Sequence, residues 1–203
     1  MHSAEGRKRL MAAGIPVVET WDLTPTPLDM LVGFSHANVG TAVANYLHGK
    51  GRRRLAVIAG DDERADRRLH AFEQAARAAG LPAVRARRVP APTTLKSGRQ
   101  ALAQLLDEGT PLDAVFCSSD LLALGVLTEA RARGIDVPAK LAVMGFGDLE
   151  FAADLEPSLT TVRIDGEAIG RQAARFIIER AEGRAPEAAV VDVGFQVIER
   201  ASA

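Results

Sequence analysis

Several short apolar runs in the sequence end abruptly in residues that form hydrogen bonds or carry charge. In the stretch VFCSSDLL, the polar residues Ser118, Ser119 and Asp120 follow one apolar run and precede the next. Hydroxyl and carboxylate groups at such positions can bind the polar groups of a small ligand. Ser119 and Asp120 are also good residues to cap the start of a helix, and capping is compatible with ligand binding.

Three other apolar runs, IPVV, LAVIAG and LAVMG, are followed by charged or aromatic residues in the same way. The residues after them include Glu19, Trp21, Asp22, Asp61, Asp62, Arg68, Phe146, Gly147 and Asp148. If the runs are parallel strands, their carboxyl ends lie along one edge of a sheet, where such sheets bind ligands. Planar polar groups and aromatic faces together suit a sugar, which presents both hydroxyl groups and a C–H surface. The pattern therefore predicts a carbohydrate-binding crevice.

The same residues offer little support for catalysis. The four histidines lack the spacing of a metal site, and the sequence contains neither a nucleophile elbow nor a phosphate-binding loop. GFGDLE begins like a dinucleotide fingerprint but has Glu150 where the third glycine belongs. Cys117 ends an apolar run without an activating histidine, which favours a buried structural thiol. We expect a protein that is not an enzyme and that needs no metal or cofactor.

Composition narrows the class of protein further. The formal net charge of −1 gives no overall basic field to attract nucleic acid. A single cysteine fits a reducing cytoplasm, and no apolar run reaches the roughly 18 residues of a membrane span. The N-terminus has basic residues but no apolar core of a secretion signal. These features predict a cytoplasmic protein.

The elements that must position these residues follow from the hydrophobic pattern. RLAVIAG, DAVFC and LAVMGFG are apolar at consecutive positions, which is typical of parallel strands covered on both faces. Helical segments lie between them and end at Gly80, Gly109 and Gly134. This alternation predicts an α/β fold with parallel sheets covered by helices. AAVVDVGFQVIER is predicted as one final strand, bent near Gly194.

Longer motifs then occur in a recognisable order: GIPVVE, VGFSHANVGTAVANYLHGKG, SDLLALG, GIDVP, VMGFGD and PSLTTV. Together they resemble, over nearly the whole chain, the effector-binding domain of the LacI/GalR (lac repressor) family of transcriptional regulators. PLDMLVGFSH and VFCSSDLLALG look most like the gluconate-operon repressors of that family. The resemblance implies a periplasmic-binding-protein-like (type I) fold of two Rossmann-like lobes. It also implies that a small effector bound between the lobes alters how a dimer presents its DNA-binding heads.

The resemblance also implies roles for individual residues. Arg68 matches the arginine that clamps the effector, and its planar guanidinium suits a carboxylate or paired hydroxyl groups. Phe34 matches an aromatic wall, and Ser119 and Gly147 occupy positions usually held by Asn and Asp. The expected effector-binding residues are Glu19, Trp21, Phe34, Arg68, Thr93, Ser119, Gly147 and Asp148.

The two departures from the family pattern bear on the charge of the effector. Asn at position 119 and Asp at position 147 would bind neutral sugar hydroxyl groups, whereas Ser119 and Gly147 are smaller. Without a carboxylate at position 147, an anionic ligand meets less repulsion, and Arg68 supplies a cation. The sequence thus favours a sugar acid such as gluconate, although a degraded pocket would show the same departures.

The resemblance also divides the chain. Residues 1–34 and 162–185 are expected to form the remnant of the first, N-terminal lobe, and residues 35–161 and 186–203 the second, C-terminal lobe. The family carries a helix-turn-helix head, and we expect this chain to lack it. We therefore expect operator DNA to be bound only through that missing head in the parent protein.

The segment DLLALGVLTEA is apolar on almost every side, although a helix covering a sheet needs only one apolar stripe. Leu121 and Leu122 are therefore expected at a homodimer interface, with deep burial inside the lobe as the alternative.

A sugar-binding protein of a transport system, with the same fold, is the main competing function. A small nucleotide-dependent α/β enzyme is a third interpretation. The transport protein would need an export signal and the enzyme a phosphate-binding loop, and neither is visible in the sequence.

Overall fold

The computed structural model describes residues 3–203 and confirms the α/β fold with parallel sheets. The elements in chain order are α1 (Ala4–Ala12), β1 (Val18–Thr20), β2 (Met30–Gly33), α2 (His36–Gly49), β3 (Leu55–Gly60), α3 (Glu63–Ala78), β4 (Arg85–Val89), α4 (Leu95–Asp107), β5 (Ala114–Cys117), α5 (Asp120–Ala132), β6 (Ala142–Met144), β7 (Thr161–Arg163), α6 (Gly166–Ala181), β8 (Val190–Asp192) and β9 (Gln196–Ile198). They form two compact units. Unit 1 contains the residues up to His36 and Ile164–Phe195, and unit 2 contains Ala37–Arg163 and Gln196–Ala203.

Unit 1 contains a three-stranded parallel sheet in the order β1-β2-β8. The central strand β2 is buried at all four residues, and α6 packs against β1 and β2 through a face that buries Ile169 and Phe176. The apolar run IPVV ends at Val18, the first residue of β1, but the hydrophobic pattern gives no indication of β2 after the Pro-rich segment.

Unit 2 contains a four-stranded parallel sheet in the order β4-β3-β5-β6. Strands β3 and β5 are buried at every residue, which explains why their sequences are apolar at consecutive positions. Helices α4 and α5 cross closely at two glycines: an added Cβ would lie 2.3 Å from the Leu122 carbonyl oxygen at Gly98 and 2.2 Å from the Leu95 carbonyl oxygen at Gly125. The carboxyl ends of β3, β5 and β6 thus meet at one edge of unit 2, because neighbouring strands run in the same direction.

The segment predicted as one final strand forms two. Strand β8 pairs with β2 in unit 1, whereas β9 pairs in antiparallel fashion with β7 in unit 2. Gly194 lies between them with a φ of 67°, a left-handed conformation that glycine adopts without strain. As a result, residues 186–195 lie in unit 1, not with the second lobe as the sequence suggests.

Across residues 3–203, none of the helices combines the length and the apolar character needed to cross a membrane.

Candidate functional site

Polar groups gather at the carboxyl edge of the unit 2 sheet. The backbone N–H of Gly60, the last residue of β3, donates to the Ser118 hydroxyl at 2.9 Å. A Cβ added at Gly60 would lie 3.0 Å from the Thr93 methyl carbon and 3.2 Å from a carboxylate oxygen of Asp62. Strand ends that are far apart in sequence therefore meet here, and side chains pack closely around the Gly60 backbone. We call the residues gathered here the strand-end cluster: Gly60, Asp62, Arg68, Thr93, Ser118, Ser119, Asp120, Phe146, Gly147 and Asp148.

Ser119 and Thr93 adjoin each other within the strand-end cluster. Ser119 is the N-cap of α5 and accepts a hydrogen bond from the Leu122 N–H at 3.3 Å. Its hydroxyl also lies 3.2 Å from the Thr93 hydroxyl. Two of the expected effector-binding residues are thus within hydrogen-bonding distance of each other, and helix capping holds one of them in place.

Arg68 lies on α3 with its side chain buried in the same cluster. Helix α3 begins at the N-cap Asp62, whose carboxylate accepts a hydrogen bond from the Ala65 N–H at 2.9 Å. The Arg68 guanidinium donates to the Ser118 carbonyl at 3.4 Å, and its carbon lies 4.2 Å from the centre of the Phe146 ring. Among the residues that the structure describes, Arg68 is the only buried arginine or lysine. Burial of a cation is costly unless other groups compensate it, and the Ser118 carbonyl and the Phe146 ring both contact this guanidinium.

Asp120 links the start of α5 to the loop after β6. It is the first residue of α5, not its N-cap. Its fully buried carboxylate accepts hydrogen bonds from the Thr161 hydroxyl at 2.6 Å and the Leu149 N–H at 2.7 Å. Burial raises the pKa of Asp120, and these two hydrogen bonds offset only part of that rise.

Gly147 and Asp148 complete the loop after β6. Gly147 has a φ of 130°, and a Cβ there would lie 3.6 Å from the Asp120 carboxylate. The Asp148 carboxylate forms ion pairs with Arg163 at 2.5 Å and Arg200 at 2.7 Å. Burial acts to raise the pKa of Asp148, but the hydrogen bonds from the two arginines dominate and lower it. The side chain expected to contact an effector is thus engaged in internal ion pairs.

A separate aromatic group lies in unit 1. Phe34, which directly follows β2, is buried and makes edge-to-face contacts with Trp21, at 6.5 Å between ring centres, and with His36, at 4.5 Å. The His36 Nε2 lies 3.1 Å from the Trp21 carbonyl oxygen. Gly166 packs against the indole, because an added Cβ would lie 3.0 Å from it. Trp21 and Phe34 therefore contact each other, as part of one aromatic group.

Two further residues of unit 1 hold its loops. The Glu19 carboxylate accepts a hydrogen bond from the Leu28 N–H at 2.7 Å, which ties the Pro-rich segment to β1. The buried Asp22 accepts one from the Leu23 N–H at 2.8 Å. The sequence gives no signal for His36 as a site residue. Phe146 is indicated by its position directly after an apolar run, although the family motifs assign it no role.

The structure separates the two leucines expected at a dimer interface. Leu122 is 0% exposed within the core of unit 2, whereas Leu121 is 40% exposed. Leu122 thus has no accessible surface to contribute, and of these two leucines only Leu121 can contact a second chain.

Cys117 is also fully buried, and its burial raises the pKa of its thiol. Within residues 3–203, no group of three or more His, Cys, Asp or Glu side chains is arranged to hold a metal ion.

The sequence is similar to a known protein family and to curated transcriptional regulators. The family model described as a periplasmic binding protein-like domain matches residues 44–203. The chain is 37% identical over 199 residues to the HTH-type transcriptional regulator GntR of Pseudomonas aeruginosa, which is 97% of this chain and 58% of that protein. The chain therefore spans little more than half the length of this curated relative.

Solved structures show the same fold. The crystal structure of the transcription regulator GntR from Chromobacterium violaceum superposes with a TM-score of 0.92 and 32% identity, covering 100% of this chain and 75% of that one. The transcriptional regulator CelR, solved as a cellobiose complex, gives a TM-score of 0.81 and 28% identity, covering 99% and 71%.

Proposed function

The chain belongs to the LacI/GalR family of transcriptional regulators, as an effector-binding domain with the periplasmic-binding-protein-like fold, and on this premise we propose that it binds a small sugar acid such as gluconate. Binding would modulate how the parent regulator, a repressor, binds its operator DNA. The relatives named above are regulators, not enzymes, and we assign the chain no catalytic role.

The burial of Arg68 is the observation that carries the proposal. A guanidinium presents paired N–H groups that match the two oxygens of a carboxylate. The Thr93 and Ser119 hydroxyls belong to the same strand-end cluster and are suited to hydroxyl groups along a polyol chain. A linear sugar acid has both features, a terminal carboxylate and several hydroxyl groups.

The glycine at position 147 supports an anionic effector. An aspartate there would place a second carboxylate near that of Asp120, since its Cβ would lie 3.6 Å from an Asp120 oxygen. Like charges at such short range repel each other and would also repel an anionic ligand. Gly147 thus adds no further carboxylate to the cluster, in which Arg68 supplies the cation.

Titration calorimetry of the chain with gluconate, glucose and galactose tests this function. Gluconate should bind most tightly, and Arg68→Lys should weaken its binding by roughly tenfold or more, because the paired N–H geometry is lost. Arg77→Lys, at an exposed position on the same helix, should leave binding unchanged. Tighter binding of glucose or galactose than of gluconate contradicts the proposal. It would point to a neutral ligand such as the cellobiose bound by CelR.

We further propose that the chain forms a homodimer through the start of α5. Leu121 and Leu149 are both exposed apolar residues next to Asp120, whose carboxylate accepts the Leu149 N–H. Their burial against a second copy would remove apolar surface from water.

A further inference from the structure

The ring of Phe146 covers the guanidinium of Arg68. Hydrogen bonds hold the backbone of Phe146 and of its two neighbours. The Phe146 carbonyl accepts a hydrogen bond from the Asp120 N–H at 3.0 Å. The N–H groups of its two neighbours, Gly145 and Gly147, donate at 2.9 Å to carbonyls of the segment that contains β7. These hydrogen bonds fix the position of the backbone that carries the Phe146 ring.

Close packing against Asp120 fixes the loop further. A Cβ at Gly145 would lie 2.2 Å from an Asp120 carboxylate oxygen, so the loop and this carboxylate are in tight contact. The same carboxylate accepts the Leu149 N–H just beyond the loop. Asp120 thus sets where Phe146 lies, and Phe146 in turn lies against Arg68.

We propose that Phe146 is a positioning residue for the effector carboxylate, acting through Arg68; this inference rests on the proposed function. A cation over an aromatic face is attracted by the negative potential of the ring, which holds the guanidinium in one orientation. With one face of Arg68 covered by the ring, an incoming carboxylate meets the N–H edge of the guanidinium. The ring also keeps water from that face, which strengthens the interaction with an anion.

Selective binding measurements test this role. Phe146→Leu should weaken gluconate binding roughly three- to thirtyfold, the equivalent of one lost cation–π contact. Binding of glucose, measured on the same variant, should change much less, because glucose has no carboxylate for Arg68 to bind. Phe146→Tyr should bind gluconate about as tightly as the unmodified chain does, since it keeps an aromatic face. Phe151→Leu, in the short 3-10 helix Glu150–Ala152, is the matched control and should leave both affinities unchanged.

The binding results distinguish a failure of the proposed function from a failure of the role of Phe146. If the unmodified chain binds no gluconate, the proposed function fails and the positioning role fails with it. If Phe146→Leu weakens gluconate and glucose binding equally, or leaves gluconate binding unchanged, only the role of Phe146 is overturned.

Nitrogen-15 NMR of the arginine side chains provides a readout that needs no ligand. The Nε–H signal of Arg68, identified by its loss in Arg68→Lys, should be shielded by the Phe146 ring. It should move downfield in Phe146→Leu and stay in place in Phe146→Tyr. A signal that does not move in Phe146→Leu overturns the positioning role even where that variant has lost affinity.

Discussion

Two buried carboxylates of the strand-end cluster have pKa values shifted in opposite directions. Burial raises the pKa of Asp120, whose partners are a hydroxyl and an N–H. The pKa of Asp148 is lowered despite its burial, because Arg200 and Arg163 both donate to it. Full charges on the partners outweigh the cost of desolvation at Asp148, whereas neutral dipoles do not outweigh it at Asp120. The sequence shows two acidic residues near strand ends but not which cation each would meet.

The lowered pKa of Asp148 leads to a pH-dependent prediction. A carboxyl group with a lowered pKa in the folded state stabilises the fold above its ordinary value of 3.8 and loses that contribution as the pH falls through the folded-state pKa. Asp148→Asn should therefore lower the free energy of unfolding by about 1.5–3 kcal/mol at pH 7. The difference from the unmodified chain should shrink below pH 3.8. Urea unfolding at several pH values measures both effects.

Asp154→Asn is the control for this prediction, because Asp154 lies close by in sequence but is exposed. It should change the free energy of unfolding by less than about 0.5 kcal/mol at any pH. A difference between Asp148→Asn and the unmodified chain that stays constant down to the most acidic pH tested would show that the ion pairs are not its source.

At the scale of elements, the approach of α4 to α5 depends on two glycines. Gly98→Ala and Gly125→Ala would each place a methyl group within 2.3 Å of a backbone oxygen, so the helices must move apart. Each should lower the free energy of unfolding by about 2–3 kcal/mol, the cost of overpacking a core. Thermal and urea unfolding measure the loss.

Gly170→Ala offers a matched control on another helix. Gly170 is exposed in α6, and an added Cβ would meet nothing within 4 Å. The substitution should raise the free energy of unfolding by about 0.5–1 kcal/mol, because alanine loses less backbone entropy in a helix than glycine does. If Gly98→Ala behaved like Gly170→Ala, the close crossing of α4 and α5 would be refuted.

The hydrophobic pattern predicts some of these elements well and others not at all. It predicts β3 and β5 because both are apolar at consecutive residues and end in polar ones. It does not predict β2, since four buried residues after a Pro-rich segment are too few to show a period. It merges β8 with β9, because the choice of pairing partner depends on the rest of the fold and not on the strand's own residues.

For the molecule as a whole, family motifs predict where residues lie along the backbone better than they predict their contacts. Arg68, Thr93 and Ser119 meet at the carboxyl edge of one sheet, as the order of strands and helices leads one to expect. Asp148 matches its motif equally well, yet its carboxylate pairs with Arg163 and Arg200. A motif indicates where a residue lies along the backbone, whereas its partners come from elements distant in sequence.

The proposed homodimer gives the last prediction, which depends on the difference in burial between two adjacent leucines. Leu121→Glu should convert the dimer to monomer in sedimentation velocity, because it places a charge on an exposed apolar surface that a second chain would cover. It should leave the free energy of unfolding of the monomer almost unchanged. Leu122→Glu should instead unfold unit 2, since Leu122 lies wholly within its core. Ile178→Glu, at an exposed apolar position on α6, should leave the dimer intact. A monomeric unmodified chain, or a dimer that survives Leu121→Glu, would exclude an interface at the start of α5.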